Sequence, residues 1–236
     1  MTGWLGPDEW QAVALSVQVS FWATLLSLPF GICVAYALAR WEFRGKQILN
    51  IAVHLPLILP PVVTGYLLLL SFGRQGAMGR FLEDSFGLVL AFRWTGAALA
   101  AAIMAFPLMV RAIRLAIEAV DPKLEEAAAT LGASRLQVFT TVTLPLIAPG
   151  LIAGSVLAFA KAIGEFGATI TFVSNIPGQT QTIPSAIYAF LQVPGGEGGA
   201  LRLVVVSVVI AMAALVASEA LARRAQAKLS GTRGAP

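Results

Sequence analysis

Two opposite charges stand inside an apolar run, Lys161 and Glu165 in AKAIGEFGATITF. Charged side chains within a membrane are costly unless paired, and they mark polar routes and gates. A spacing of four puts both on one helical face, within reach of each other. Gly164, Gly167, Thr169 and Thr171 surround the acid with permissive backbone and hydroxyls. A second interruption, HLPLILPPVVTG, places Pro56, Pro60, Pro61, Thr64 and Gly65 in another apolar run. Three prolines so close must break or bend a helix, and the freed carbonyls are tolerated only where neighbours or a cavity satisfy them. Each feature has two readings. The ion pair either fixes helix packing or shapes a gate, and the prolines either kink a span or line a route. The candidate pathway residues are therefore Pro60, Pro61, Thr64, Gly65, Lys161, Glu165, Gly167, Thr169 and Thr171. The two segments are expected to face each other across the axis of a dimer.

Other chemistries find no residues. One histidine, His54, and one cysteine, Cys33, build neither a multi-histidine metal site nor a disulfide framework. No phosphate loop, zinc-protease or nucleophile-elbow motif is present. Asp8, Asp84 and Asp121 all fall outside the apolar runs, so no aspartate pair can act within the membrane. No catalytic residue, metal or cofactor is expected on this chain.

The elements that must position these residues are membrane spans. Hydrophobic residues make up 58% of the 236 and charged ones 12%, against about 25% charged in a soluble domain. The expected fold is all-α, a single polytopic domain over 1–236 with about five transmembrane helices. The spans are expected near Gln11–Ala39, Gln47–Phe72, Gly87–Val110, Gly150–Val173 and Ala200–Leu221. Trp4 and Trp10 are placed as interface anchors, Gly73 to Phe86 reads as a polar loop, and a surface helix is expected around Ser185 to Gln192. Ser16, Ser20, Thr24 and Ser27 recur at helical spacing and suit close helix packing.

Basic residues orient the spans. Arg40, Arg44 and Lys46, then Arg111, Arg114, Lys123 and Arg135, then Arg223, Arg224, Lys228 and Arg233 belong to one side. Only Arg74, Arg80, Arg93 and Arg202 belong to the other. The N-terminus is thus expected outside and the C-terminus in the cytoplasm. The excess of 16 basic over 12 acidic residues is loop charge of this kind, with no nucleic-acid partner implied.

Between the third and fourth spans lies DPKLEEAAATLGASRLQVFTTVTLP, Asp121 to Pro145, which reads as a cytoplasmic helical hairpin. Asp121 suits an N-cap and Pro122 the first helical position. Leu124, Ala127, Ala128 and Leu131 form a small apolar face, and Glu125 and Glu126 lie near the helix's positive end. Gly132 sits where a left-handed residue ends a helix. Ser134 and Gln137 make a capping box for a second helix, which Leu144-Pro145 is expected to end or kink.

These residues resemble the "EAA" motif of ABC-type importer permeases. Glu126, Ala127, Ala128, Gly132, Val142, Leu144 and Pro145 match it at its spacing, with Val where the family prefers Ile. The resemblance implies a coupling hairpin, residues 121–145, that docks on a separate ATPase subunit, with Glu126, Ala127, Ala128, Gly132, Leu144 and Pro145 as coupling residues. The runs His54 to Tyr66 and Gly164 to Phe172, with Pro177-Gly178, Thr182-Ile183-Pro184 and Gly195-Gly196-Glu197, resemble molybdate importer permeases. That likeness implies a homodimer in the bacterial inner membrane, among its lipids. It implies a cytoplasmic ABC ATPase dimer that binds the ATP, and an extracytoplasmic oxyanion-binding protein. The cargo implied is molybdate or tungstate. Sulfate and thiosulfate permeases share Gly-Glu-Phe-Gly, so a different oxyanion stays open. A secondary transporter independent of an ATPase is the rival of another class; it predicts internal repeats and more buried charge than the sequence holds.

Overall fold

The computed structural model of the chain describes residues 4–231, with side chains described through Arg224. Arg233 of the basic tail and Met1 to Gly3 of the N-terminal lead lie outside the described residues, as does the side chain of Lys228.

The described residues are helical, without a strand. Four helices are long and apolar enough to cross a membrane. They are α1 (Pro7–Arg40), α5 (Trp94–Glu118), the run from Arg135 to Ile163, and α11 (Glu197–Gly231). The candidate for a fifth span is a broken pair, α2 (Lys46–Ile58) and α3 (Pro61–Phe72), between which the helix direction bends by 114°. Pro60 is extended and caps α3, and Pro61 takes its first position, where a missing N–H costs nothing. The sequence's proline break is therefore a sharp corner.

Three boundaries move. The third span starts at Trp94 instead of Gly87, because Phe92 turns left-handed at φ 58 and Arg93 is extended. It continues to Glu118, so Arg111 and Arg114 lie within it. The expected loop from Gly73 to Phe86 holds a helix, α4 (Ala77–Phe86), closed by left-handed Gly87. The expected fourth span, Gly150–Val173, is two elements. Its long helix begins far upstream at Arg135 and stops at Ile163, and α9 (Gly167–Val173) follows a break. The short helices α6 (Pro122–Thr130), α7 (Arg135–Val138) and α10 (Ile183–Leu191) complete the chain, with α8 (Leu144–Ile163) as the membrane part of the long run.

The core lies where α5 is wrapped by α1 and α8. Ala97, Ala100, Ala101, Met109, Val110, Ile113 and Ile117 of α5 are fully buried. Small residues let the backbones close, as membrane helices require. A Cβ at Gly154 would stand 3.3 Å from Ala112 Cβ and from Met109 O across the α5–α8 contact. Of the α1 hydroxyl stripe, Ser16 reaches another element, accepting from Ile183 N at 2.7 Å at the start of α10. Ser27 bonds back to Ala23 O, and the buried hydroxyls of Ser20 and Thr24 have no partner.

The first and last helices are clasped at their starts. Arg202 grips Glu9 with Nη2–Oε1 2.7 Å and Nε–Oε1 3.0 Å, and Gly6 N–H donates to the second oxygen. Glu9 is buried, so these charge-assisted bonds answer its lost hydration. α1 has 34 residues, about 50 Å at 1.5 Å per residue, which exceeds the apolar thickness of a bilayer and requires tilt or projection.

Candidate functional site

The chain carries two candidate sites, one on the 121–145 loop and one where α3 meets α9.

The loop folds by its local signals. Asp121 Oδ1 accepts from Lys123 N at 3.0 Å, and Pro122 opens α6. Gly132 is left-handed at φ 90 and Ala133 N–H reaches back to Ala128 O, which closes the helix end. Ser134 and Gln137 make the capping box, each side chain meeting the other's backbone N–H. No residue of α6 is buried. Leu131 is 89% exposed and Leu124 42%, so the expected apolar face is left open by this chain, and Leu136 on the next helix is exposed too. Glu126 is also exposed, without an ion-pair partner among the described residues.

Leu144 and Pro145 do not end the second helix. It runs from α7 through a π turn, Phe139–Thr143, directly into α8. Leu144 N–H bonds Phe139 O, five residues back. A π turn widens the coil by one residue, which lets the helix pass a residue that has no N–H to give. The loop is thus a short exposed helix, α6, turning at Gly132 onto an extension of a span. Sequence reasoning missed Glu125. Its Oε2 lies 3.1 Å from Arg40 Nε and its Oε1 accepts from Thr143 Oγ1 at 2.6 Å.

At the second site α3 and α9 pack directly, within one chain. Two glycines make it possible. A Cβ on Gly65 would fall 2.5 Å from Ala168 O and 2.9 Å from Thr171 Cβ, and one on Gly167 2.7 Å from Pro61 Cβ. Lys161 and Glu165 do pair, Nζ–Oε2 2.6 Å. They do so across the helix end, because Glu165 stands in the break after Ile163 and not on a shared helical face. Its other oxygen accepts from Ala168 N at 3.0 Å. Glu165 is 2% exposed and Lys161 31%, so the acid is sequestered and the base reaches outward.

The threonines divide. Thr169 donates to Phe166 O and Thr171 to Gly167 O, so both protons are used within the segment. Thr64 is buried and its hydroxyl has no partner. A separate cavity of about 850 Å³ between α1, α2 and α5 has a mostly apolar lining that includes Trp22, Phe30, Leu49, Trp94 and Phe106 and carries no charged side chain.

The family model described as "Binding-protein-dependent transport system inner membrane component" matches residues 27–227. The chain is 64% identical to the molybdenum transport system permease protein ModB of Escherichia coli (strain K12), over 93% of this chain and 96% of that one. It is 37% identical to the sulfate transport system permease protein CysT of Salmonella typhimurium, over 79% of this chain and 67% of that one. Among solved structures, a bacterial ABC transporter that imports the acidic polysaccharide alginate shares the fold, with TM-score 0.73 at 19% identity over 93% of this chain and 80% of that one. The chain is a multi-pass membrane protein and belongs to the family of binding-protein-dependent transport system inner-membrane components.

Proposed function

We propose that this chain is the membrane-spanning subunit of an ABC importer that carries molybdate, with tungstate as a second cargo, into the cytoplasm. The observation that carries the reading is the likeness to a molybdenum permease along nearly the whole chain, well above that to a sulfate permease. The fold supports it. A transport subunit with no phosphate loop needs an engine elsewhere, and the 121–145 loop offers an exposed apolar face that this chain leaves uncovered. Glu126, Ala127, Ala128 and Gly132 form that docking element, with Leu144 and Pro145 at its root. ATP then belongs to the partner, an ABC ATPase dimer. Two copies of this chain enclose the route, and an extracytoplasmic binding protein delivers the oxyanion.

Reconstitution in proteoliposomes with the ATPase and the binding protein tests this. Molybdate uptake is expected to require both partners and to be suppressed by excess tungstate more than by excess sulfate. Equal suppression by sulfate moves the cargo to the sulfate class. Uptake without the ATPase makes the protein a secondary transporter.

Orientation is tested separately, in a Cys33→Ser background because Cys33 is exposed. Both probe positions are exposed as well. Gln179→Cys is expected to react with an impermeant thiol reagent from outside and Lys123→Cys only after the membrane is opened. The reverse pattern overturns the assignment of the loop to the cytoplasm.

A further inference from the structure

α6 buries none of its residues, so no apolar core sets its direction relative to the spans. What holds it is polar. Arg40, the last residue of α1, places Nε 3.1 Å from Glu125 Oε2, with each side chain only 15% exposed. The same guanidinium donates from Nη2 to Val120 O at 2.8 Å, just before α6 begins. Glu125 Oε1 accepts from Thr143 Oγ1 at 2.6 Å, and Thr143 is a fully buried member of the π turn that leads into α8. Beside this junction the rings of Tyr36 and Phe139 meet edge to face at 5.4 Å, joining α1 to the same π turn.

We propose that Glu125 is a positioning residue that ties the docking helix to the end of α1 and the root of α8, so that displacement of α6 is passed to two spans at once. This rests on the docking reading above. The neighbouring glutamates divide the work by helical angle. Glu126 points outward, where a partner can meet it, while Glu125 points inward onto Arg40 and Thr143. The ion pair with Arg40 is little exposed and so weakly screened, while the directional bonds are those from Thr143 Oγ1 to the carboxylate and from Arg40 Nη2 to Val120 O; together they suit a rigid link better than an apolar contact that can slide. The π turn supplies the other half. A widened turn at the base of a long helix is a place where its direction is set by what the turn holds, and Thr143 holds the carboxylate.

The experiment uses proteoliposomes with the ABC ATPase subunit, the binding protein and molybdate. Three quantities are read: ATPase co-purified per permease, basal hydrolysis, and molybdate moved per ATP hydrolysed. Glu125→Gln is expected to keep the partner bound and basal hydrolysis intact while molybdate moved per ATP falls about tenfold. Thr143→Val, which removes one hydroxyl at nearly constant shape, is expected to lower the ratio about threefold. Arg40→Glu places two acids together and is expected to be as damaging as Glu125→Gln. Arg40→Glu with Glu125→Arg restores the opposite charges and recovers part of the ratio, a rescue that loss of packing alone would not show.

An unchanged ratio in Glu125→Gln overturns the proposal. So does a swap no better than Arg40→Glu alone, and so does loss of partner binding in step with loss of transport, which would make the carboxylate a mere support of the loop. If Glu125→Gln fails to reach the membrane, the ratio in Thr143→Val and in the swap decides on the same terms. Failure of the docking reading looks different. There the ATPase does not co-purify with the unaltered chain, or stays fully bound when Leu131→Asp charges the open face, and the junction falls with it.

Discussion

On the docking reading, Gly132→Val is expected to leave the protein in the membrane and to lower transport-stimulated ATP hydrolysis by the partner about tenfold, an effect of about 1–2 kcal/mol on coupling. The reason is backbone geometry. Gly132 is at φ 90, and nothing lies within 4 Å of the position its Cβ would take. Crowding is therefore absent, and the whole effect comes from forcing a β-branched residue into the left-handed region. Relief of that strain turns the chain after Thr130 and breaks the Ala133–Ala128 bond that ends α6, so the open face is presented at a different angle. Gly132→Asn, which tolerates the left-handed region, should retain most of the stimulation. Glu126→Lys is the companion test. Its side chain has no ion-pair partner among the described residues, so reversal acts on the docked partner and not on this chain's fold. The measurement is ATPase activity of the reconstituted complex with and without loaded binding protein. Normal stimulation in both Gly132→Val and Glu126→Lys would show that the loop is not the docking element.

What the sequence discloses about that loop is its local part. Asp121, Pro122, Gly132, Ser134 and Gln137 act on backbone groups two to five residues away, and each behaves as its type and spacing dictate. The spans are legible for a similar reason, since a long apolar run has few alternatives to crossing a membrane. Bonds between distant segments are not legible. Glu125 to Thr143 spans 18 residues and Arg202 to Glu9 spans 193, and no periodicity points to either. Each acid could have been suspected only as a carboxylate at a helix start that needs a base somewhere.

The boundaries that moved also have causes. α4 is short and mixed in character, and its clearest signal is the pair Gly76 and Gly87 that flank it, easily read as a loop. Pro145 was a stop signal only for a helix of ordinary pitch; the π turn ahead of it absorbs the missing N–H and hides where the fourth span starts. At the other end of that span, Gly164 and Gly167 flank the break in which Glu165 sits. The spacing of four between Lys161 and Glu165 foretold their contact, although the helix that was to provide it ends between them.

Removing one member of the Lys161–Glu165 pair should abolish most transport, and the two single changes should differ. One-sided cuts in buried pairs cost about 3–5 kcal/mol, because a charge is left without a partner. The exposure of the two groups decides which cut is worse. Lys161→Met leaves Glu165, 2% exposed, with only the Ala168 N–H to stabilise its charge. Glu165→Gln leaves Lys161, which at 31% exposed is far less enclosed by this chain than the acid, and the glutamine oxygen can still accept from Ala168. Lys161→Met should therefore be the more damaging, lowering molybdate uptake at least about tenfold at equal membrane content. The double change removes both charges and should recover part of what Lys161→Met loses. A double variant no better than the worse single shows that the two charges are not coupled. The same vesicles test whether the segments line a route. Thr169 and Thr171 have given their hydroxyl protons to their own carbonyls, whereas Thr64 keeps a buried hydroxyl with no partner beside Gly65 and the start of α9. A buried hydroxyl that no protein group bonds is left to bond a passing oxyanion or the water that precedes it. Thr64→Cys should then react with an aqueous thiol reagent during turnover and be protected at rest. If cysteines at Thr64 and Thr169 stay unreactive in every transport state, the route does not pass between α3 and α9, and the pair serves only to hold the break between α8 and α9.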